Sequence, residues 1–400
     1  MAKVAIVRCD SYDQELVNNA VKNGIDLLGG IQMICKPQER ILLKPNVLLG
    51  TDPNNCVVTH FTVFKAVAQL VKEYGATVLY GDSPAGLQTM STAMQKSQLA
   101  RVAGELQIEP GDFDHGKAVS FPDGICSKQL TIANAVLDSD GVISLPKLKT
   151  HGLTRMTGAI KNQYGCVPGH QKGVYHAQFP DVYKFSRLLI DINRFVKPRL
   201  YVMDAVYAME GNGPQSGEPK KLGLLLFSTD PVALDSVACR IINLNPRFVP
   251  TIKECEDAGL GSSSEDDIEI LGEPLLSCVD KGFDVVRSAP IPVPENVILN
   301  RLRKFLVDKP IIAKAKCIRC LRCVQTCPVE PVKALSCDDN QKVPVFDYNR
   351  CIRCFCCHEV CPVKAIEIKS PKIKKLFPVI SYVSLFLANR HSKKNRRVVS

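Results

Sequence analysis

The chain has 400 residues, 46% hydrophobic and 23% charged, an ordinary composition for a globular protein with one large core and a smaller domain. Its basic excess is confined to the C-terminal quarter, because residues 301–400 hold 22 Lys and Arg against 7 Asp and Glu. This charge comes without a helix-turn-helix, an RNA-binding signature or a zinc finger, so we do not expect nucleic acid as a partner.

Strands alternate with helices through the first 270 residues. An apolar run at residues 4–7 predicts a strand, and the helical pattern after it ends at Gly29 and Gly30. Further strands are predicted at 40–46, 77–80, 141–147, 200–206 and 222–227, and further helices at 61–74, 91–106 and 181–196. Another helix begins at Asp230 and Pro231, with Asp as the N-cap and Pro at the first helical position. This alternation predicts an α/β fold whose mostly parallel sheet is covered by helices on both faces.

Polar residues lie at or beyond the ends of several predicted strands. They include Lys44 and Asn46 after one strand, Lys147 and His151 after another, and Asp204 near the end of a third. Ligands of parallel α/β sheets bind outside the carboxyl ends of the strands, so we expect these side chains to share a catalytic cleft. Lysine and asparagine suit a carboxylate or phosphate group, whereas the Asp and Glu residues suit a metal, a hydroxyl group or proton transfer. For each lysine, a solvated surface charge is the competing interpretation.

Three prolines, Pro290, Pro292 and Pro294, alternate with apolar residues and predict an extended linker. The chain then divides into an α/β domain (1–287), a linker (288–307), a small α+β domain (308–370) and a basic, apolar tail (371–400). In the tail, residues 376–388 are apolar for 13 positions, fewer than the ~20 that a membrane-spanning helix needs. Cations flank this run over 372–397, so it predicts either peripheral contact with an anionic membrane or docking onto the body of the protein.

Eight cysteines of the small domain form two copies of the spacing Cys-x2-Cys-x2-Cys-x3-Cys-Pro. Bacterial two-cluster ferredoxins hold iron–sulfur cubes with this run, in which the fourth cysteine of each copy ligates the other cluster. The spacing therefore predicts two [4Fe–4S] clusters. Their expected ligands are Cys317, Cys320, Cys323 and Cys361 for one cluster, and Cys351, Cys354, Cys357 and Cys327 for the other. Both copies open with Cys-Ile-Arg-Cys, which indicates an internal duplication.

Other uses of these cysteines are less consistent with the spacing. Structural zinc also uses Cys-x2-Cys pairs and secreted domains use disulfide frameworks, but their cysteines are spaced differently. Cys356 stands beside Cys357, and only Cys357 keeps the spacing, so we interpret Cys356 as a bystander. The ten remaining cysteines show no framework, and the first residues lack the apolar segment of a signal peptide. We therefore expect a reducing, cytoplasmic location, with peripheral contact to the inner membrane face as an option.

Several motifs of the α/β domain resemble those of the domain-of-unknown-function 362 family. They are Lys44-Pro45-Asn46, Gly81-Asp82-Ser83, the segments 145–151, 158–162 and 204–214, and the segment 229–235. The resemblance covers about residues 4–272, and members of this family often carry a C-terminal two-cluster ferredoxin module. It implies an iron–sulfur protein and supplies little about the chemistry of the α/β domain.

The expected function is single-electron transfer between the two clusters and either the α/β domain or a partner enzyme. Arg319, Arg322, Arg353 and Lys364 lie within the cysteine runs. Positive charge there favours the reduced clusters and an external redox partner with an acidic contact surface. The competing hypothesis is a ligand-binding or redox-sensing module in which the clusters are structural or regulatory.

Overall fold

The structure, a computed structural model, describes residues 1–294, 305–337 and 342–371. Part of the predicted linker, 295–304, and the tail from residue 372 onward lie outside the described residues. The predicted membrane contact over 372–397 therefore has no structural description here.

The described residues form sixteen strands and twelve α-helices. The strands are β1 (Ala2–Arg8), β2 (Arg40–Pro45), β3 (Thr77–Tyr80), β4 (Glu109–Pro110), β5 (Gly116–Ser120), β6 (Gln129–Ala133), β7 (Gly141–Leu145), β8 (Lys147–His151), β9 (Arg155–Thr157), β10 (Leu200–Glu210), β11 (Glu218–Ser228), β12 (Ile268–Gly272), β13 (Lys309–Ile312), β14 (Leu335–Ser336), β15 (Val345–Phe346) and β16 (Ile366–Lys369). The helices are α1 (Gln14–Leu27), α2 (Phe61–Glu73), α3 (Met90–Lys96), α4 (Leu99–Leu106), α5 (Asn134–Leu137), α6 (Ala159–Asn162), α7 (Gln171–Gln178), α8 (Val182–Val196), α9 (Pro231–Ile241), α10 (Pro250–Asp257), α11 (Arg322–Gln325) and α12 (Cys356–Glu359).

One large sheet organises the α/β domain, with the strand order β12-β1-β11-β10-β7-β2-β3-β4. All neighbouring pairs along this order are parallel except those of β11, which runs antiparallel to both β1 and β10. In β2 every residue after Arg40 is buried, as expected of a strand covered on both faces. The predicted α/β class with a mostly parallel sheet is confirmed.

The predicted start of α9 is confirmed in atomic detail. Asp230 is the N-cap, its carboxylate accepting hydrogen bonds from the backbone N–H groups of Val232 (2.8 Å) and Ala233 (3.0 Å). Pro231 occupies the first helical position, where no intrahelical N–H is needed.

The single helix predicted at 91–106 is wrong, because the structure has two helices there, α3 and α4. The break lies at Gln98, whose φ of 62° is left-handed and cannot continue a right-handed helix. Ser97 closes α3 by donating its hydroxyl to the carbonyl oxygen of Ala93 at 2.9 Å. A serine hydroxyl that competes for backbone groups in this way favours a helix end.

Two predicted strand ends are also wrong, and both corrections move candidate site residues. The strand predicted at 200–206 continues as β10 to Glu210, so Asp204 lies inside a strand. Residues 147–151 form strand β8, which pairs antiparallel with β9 and parallel with β10. Lys147 and His151 therefore begin and end a strand of a hairpin instead of lying in a loop.

The small C-terminal domain shows the predicted duplication in its backbone. Strand β13 pairs antiparallel with β16, and β14 with β15. Arg319 and Arg353 have left-handed φ values of 59° and 63°, and Leu321 and Phe355 have 57° and 65°. Each pair is separated by 34 residues, as are the helices α11 and α12 that follow, so the two cysteine loops share one conformation.

Candidate functional site

Lys147 and Asp204 form a closed ion pair inside the α/β domain. Lys147 Nζ lies 2.9 Å from Asp204 Oδ2, and both side chains are fully buried. The same carboxylate accepts hydrogen bonds from the Tyr12 hydroxyl (2.8 Å) and the His60 backbone N–H (2.9 Å). Burial lowers the pKa of His60 to about 4, so its ring is neutral near pH 7. The predicted residues Lys147 and Asp204 thus satisfy each other away from solvent.

Lys44 forms a second buried ion pair, with a residue that lines a large cavity. Its Nζ lies 2.8 Å from Asp82 Oδ1, and the other oxygen of Asp82 accepts the backbone N–H of Val47 at 2.8 Å. Asp82 lines the cavity, and so does the predicted residue Asn46, whose side-chain amide donates to the Val57 carbonyl at 2.7 Å. Asn46 therefore reaches the cavity directly, and Lys44 supports its wall.

His151 lies at the contact between the two domains. Its Nδ1 accepts the backbone N–H groups of Leu153 (3.0 Å) and Thr154 (3.4 Å), which leaves the proton on Nε2. That Nε2 lies 2.9 Å from Oε1 of Glu359, in the second cysteine loop. Burial is the main reason why the pKa of His151 falls to about 3, so the contact joins a neutral imidazole to a carboxylate.

The cavity itself lies between the α/β domain and the cysteine-rich domain and has a volume of 540 Å³. This volume is within the range of small-molecule sites. The α/β wall includes Asn46, Asp82, Lys149, Lys161, Asn162, Lys172 and His176, and the opposite wall includes Thr326, Cys327, Glu330, Lys333, Cys356, Glu359 and Val360. The cavity therefore joins cationic side chains to a predicted cluster ligand, Cys327.

The lysines of the α/β wall differ in how far they are satisfied. Lys149 is buried, and its Nζ donates one hydrogen bond, to the Val57 carbonyl at 2.7 Å. Lys172 donates to Ser83 O (2.8 Å) and Val167 O (3.1 Å) and contacts the Ser83 hydroxyl. Burial lowers the pKa of both lysines to about 7.

The first predicted set of cluster ligands comes together in space. Cys317, Cys320, Cys323 and Cys361 line one small cavity, although Cys361 belongs to the second run. Burial and the neighbouring thiols of Cys320, Cys361 and Cys317 raise the pKa of Cys323 to about 12. Four thiols around one cavity suit a cube whose iron atoms each bind one thiolate.

The second predicted set shows the same proximity. The pKa of Cys357 is raised well above its usual value by burial and by the thiols of Cys354, Cys351, Cys323 and Cys327. Three of these neighbours, Cys351, Cys354 and Cys327, belong to its predicted set, although Cys327 comes from the first run. The fourth neighbour, Cys323, belongs to the other predicted set. These positions fit a second cube held by residues of both runs.

Cys356 lies beside the second set and faces the large cavity. It is buried, it lines the cavity, and its thiol lies close enough to that of Cys354 for the two to interact. Its interpretation as a bystander stays a prediction.

The two cysteine loops differ sharply in exposure, although their sequences and backbones match. Arg319, Cys320 and Arg322 of the first loop are exposed. In the second loop, Arg353 is buried and Cys354 is half-buried. The second loop also contacts the α/β domain, since Phe355 lies beside Gly152 and Glu359 beside His151, whereas the first loop faces solvent.

Sequence reasoning did not identify Lys161 and Glu359 as residues of one site. Lys161 lies in the family-like segment 158–162, which was a signal for the lysine, whereas no local pattern marks Glu359. Their proximity depends on how the two domains dock.

Comparison with known protein families gives two matches on this chain. Residues 41–240 match the family described as a domain of unknown function (DUF362), and residues 310–368 match a 4Fe-4S dicluster domain. The second match supports [4Fe–4S] binding by the cysteine-rich domain.

A thylakoid-associated protein of Synechocystis sp. is 35% identical over 278 residues, which cover 69% of this chain and 86% of that protein. Among solved structures, a lactate racemase apoprotein from Thermoanaerobacterium thermosaccharolyticum is 13% identical to this chain, with a TM-score of 0.38. The match covers 59% of this chain and 56% of the racemase chain. A protein from Thermotoga maritima is 12% identical with a TM-score of 0.36, covering 56% and 57%. The chain thus spans little more than half the length of these two structures. In the part of the chain that the structure describes, no helix has the length and apolarity to cross a membrane.

Proposed function

Because this chain belongs to the DUF362 family and carries a 4Fe-4S dicluster domain, we propose that it is a ferredoxin-type electron-transfer protein with two [4Fe–4S] clusters. In this proposal it serves a redox reaction of a small anionic substrate, held by its own α/β domain or by a partner enzyme. A [4Fe–4S] cluster supplies the uptake and release of single electrons. The observation that carries the proposal is the 540 Å³ cavity between the cysteine-rich domain and the cationic wall of the α/β domain.

The residues of the chain fit the two ends of such a transfer. The exposed loop of Arg319, Cys320 and Arg322 gives a partner access to one set of cluster ligands. Cys327, a predicted ligand of the other set, lines the cavity. The α/β domain excludes bulk water from the second loop and holds ligand-binding side chains opposite it.

The competing hypothesis is a ligand-binding or redox-sensing module in which the clusters are structural or regulatory and do not turn over with a partner. Anaerobic purification, iron and sulfide analysis, stepwise reduction followed by electron paramagnetic resonance, and turnover with a redox partner separate the two. We expect about eight irons per chain and signals that appear and disappear reversibly. Zinc in place of iron, or clusters that cannot be reduced and reoxidised, would contradict electron transfer.

We propose that an acidic redox partner binds at the exposed loop. Replacing Arg319 and Arg322 with glutamate should slow reduction of the protein by an acidic ferredoxin about tenfold at low ionic strength, because steering by opposite charge is lost. Stopped-flow measurements should show the difference shrink with added salt.

The matched control for this experiment reverses two exposed lysines of the α/β domain, Lys22 and Lys117, and so changes the net charge equally. Equal slowing in both double variants would show that the partner responds to overall charge and not to the exposed loop.

We also propose a cytoplasmic location with peripheral membrane contact. The cytoplasm is supported by the cysteines, which form no disulfide among the residues that the structure describes. Membrane contact is supported by the basic, apolar sequence over 372–397 and by the thylakoid association in the name of the Synechocystis relative.

Deleting residues 372–400 should abolish co-sedimentation with anionic lipid vesicles and leave the iron content unchanged. Vesicles of neutral lipid serve as the control, because the flanking cations should bind only the anionic surface. Undiminished sedimentation of the truncated protein would rule out the tail as the contact.

A further inference from the structure

We infer that the cavity between the two domains is an anion-binding site in which Lys149 and Lys161 hold the carboxylate or phosphate group of a small ligand. The site places that ligand against the loop of Cys327. The inference rests on the proposed function and deepens it, since it names the chemical class of the electron-transfer substrate and the residues that select it.

Lys149 carries the first part of the argument. Its side chain is buried in the cavity wall, and its ammonium group makes one hydrogen bond, to the Val57 carbonyl. An ammonium group has three donors, so two remain for a ligand. A buried lysine without a carboxylate partner is costly, and an anion in the cavity would offset that cost.

Lys161 supplies a second cation on the same wall. It is half-buried and lines the cavity, and among residues 1–294, 305–337 and 342–371 it makes no hydrogen bond and no ion pair within 4 Å, although Glu359 is close enough for their opposite charges to interact. It is close enough to Lys149 for the two charges to repel each other. Two neighbouring cations with free hydrogen-bond donors can together bind one carboxylate or phosphate group.

The remaining lysines of the cavity are occupied. Lys172 is held by Ser83 and Val167. Lys333 lies 3.1 Å from Glu330 and donates to the Cys327 carbonyl at 2.9 Å. These two lysines stabilise the walls, and the free donors belong to Lys149 and Lys161.

The opposite wall orients the ligand. Cys327 and Thr326 of that wall belong to the first cysteine run, and Cys356 and Val360 belong to the second. Glu359 is the acidic group there. Its Oε1 lies 2.9 Å from His151 Nε2 of the α/β domain. A fixed negative charge on this side directs the anionic end of a ligand to the lysines across the cavity.

The affinity of the site should depend on pH through Lys149. Burial is the main cause that lowers its pKa to about 7, Lys161 and Lys147 lower it further, and Glu359 and Asp82 oppose them. A bound anion favours the protonated lysine, so binding takes up a proton above about pH 7. Affinity should therefore be highest below pH 7 and fall as pH rises.

The test uses the full-length protein with its iron content verified. Isothermal titration calorimetry should detect binding of inorganic phosphate or malonate, and the two probes distinguish a phosphate from a carboxylate preference. Lys161→Met and Lys149→Met should each weaken the preferred probe about tenfold or more, the loss expected for one charged hydrogen bond. Lys22→Met, at an exposed site of α1, should bind like the wild type.

Sulfate provides the pH test, because its charge is constant over the range used. Its affinity for the wild type should fall about tenfold or more between about pH 6 and about pH 9, and this dependence should be weaker in Lys149→Met. A structural role of Lys149 would not change the pH profile. If Lys149→Met loses iron or folds poorly, Lys161→Gln, at a half-buried site, is the variant that tests anion binding.

Failure of this inference is distinguishable from failure of the proposed function. Reversible clusters with no binding of phosphate, malonate or sulfate, or equal binding by the wild type and both lysine variants, would overturn the anion site alone. Lysine-dependent binding to a protein whose clusters do not cycle would retain the anion site and overturn electron transfer.

Discussion

The Cys361→Ala variant is expected to bind about half the iron of the wild type, about four atoms per chain instead of about eight. The reason is geometric, because Cys361 lines a small cavity with Cys317, Cys320 and Cys323. Removing its thiol leaves one iron of that cube without a protein ligand. Iron analysis and electron paramagnetic resonance of the reduced protein measure the loss.

A comparison of single variants decides which cysteines share a cluster. If each cluster draws its fourth ligand from the other run, Cys361→Ala and Cys317→Ala should leave the same residual spectrum. If each run holds its own cluster, Cys361→Ala should instead match Cys351→Ala. Cys356→Ala is the matched control for a buried cysteine of the same loop and should keep both signals; its loss of iron would show that Cys356 is a ligand.

The Asp204→Ala variant is expected to lower the free energy of unfolding by about 3–5 kcal/mol. The substitution leaves Lys147 fully buried without its counter-charge and removes the acceptor for Tyr12 and the His60 backbone N–H. Urea unfolding followed by far-ultraviolet circular dichroism under anaerobic conditions measures the change.

An exposed ion pair provides the control for Asp204. Lys3 and Glu269 lie 3.9 Å apart with side chains 54% and 40% exposed, so Glu269→Ala should cost less than about 1 kcal/mol. An Asp204→Ala cost as small as this would show that the buried pair is not a structural element. It would also revive the prediction that Asp204 acts in catalysis.

Local patterns predicted much of the fold because their causes are local. The cysteine spacing predicts each loop, and the loops share the left-handed residues Arg319 and Arg353. Asp230 and Pro231 fixed the start of α9 because capping involves only neighbouring residues. The break at Gln98 was missed, since a left-handed glutamine has no strong sequence signature.

The candidate site depends on contacts that sequence spacing does not determine. The five predicted residues lie at the ends of predicted strands, but the structure divides them among a cavity wall, two buried ion pairs and an interdomain contact. Lys147 begins β8 and pairs with Asp204 of β10, whereas Lys149, two residues later, lines the cavity. Successive residues of a strand point to opposite faces, so two residues that are two positions apart share a face. The spacing of Lys147 and Lys149 alone would therefore not have separated them. Their different environments arise from the irregular pairing of β8 with β10, in which the register shifts between Asp204 and Met209.

Because the two cysteine loops are exposed to different degrees, we expect the predicted clusters that they hold to be damaged at different rates. Dissolved oxygen, peroxide and chelators meet the exposed Cys320 directly, whereas the α/β domain limits their approach to Cys354. Damage in air should therefore proceed in order, beginning with the cluster of the exposed loop. A sample that has lost half its iron in this way would keep the cluster beside the cavity.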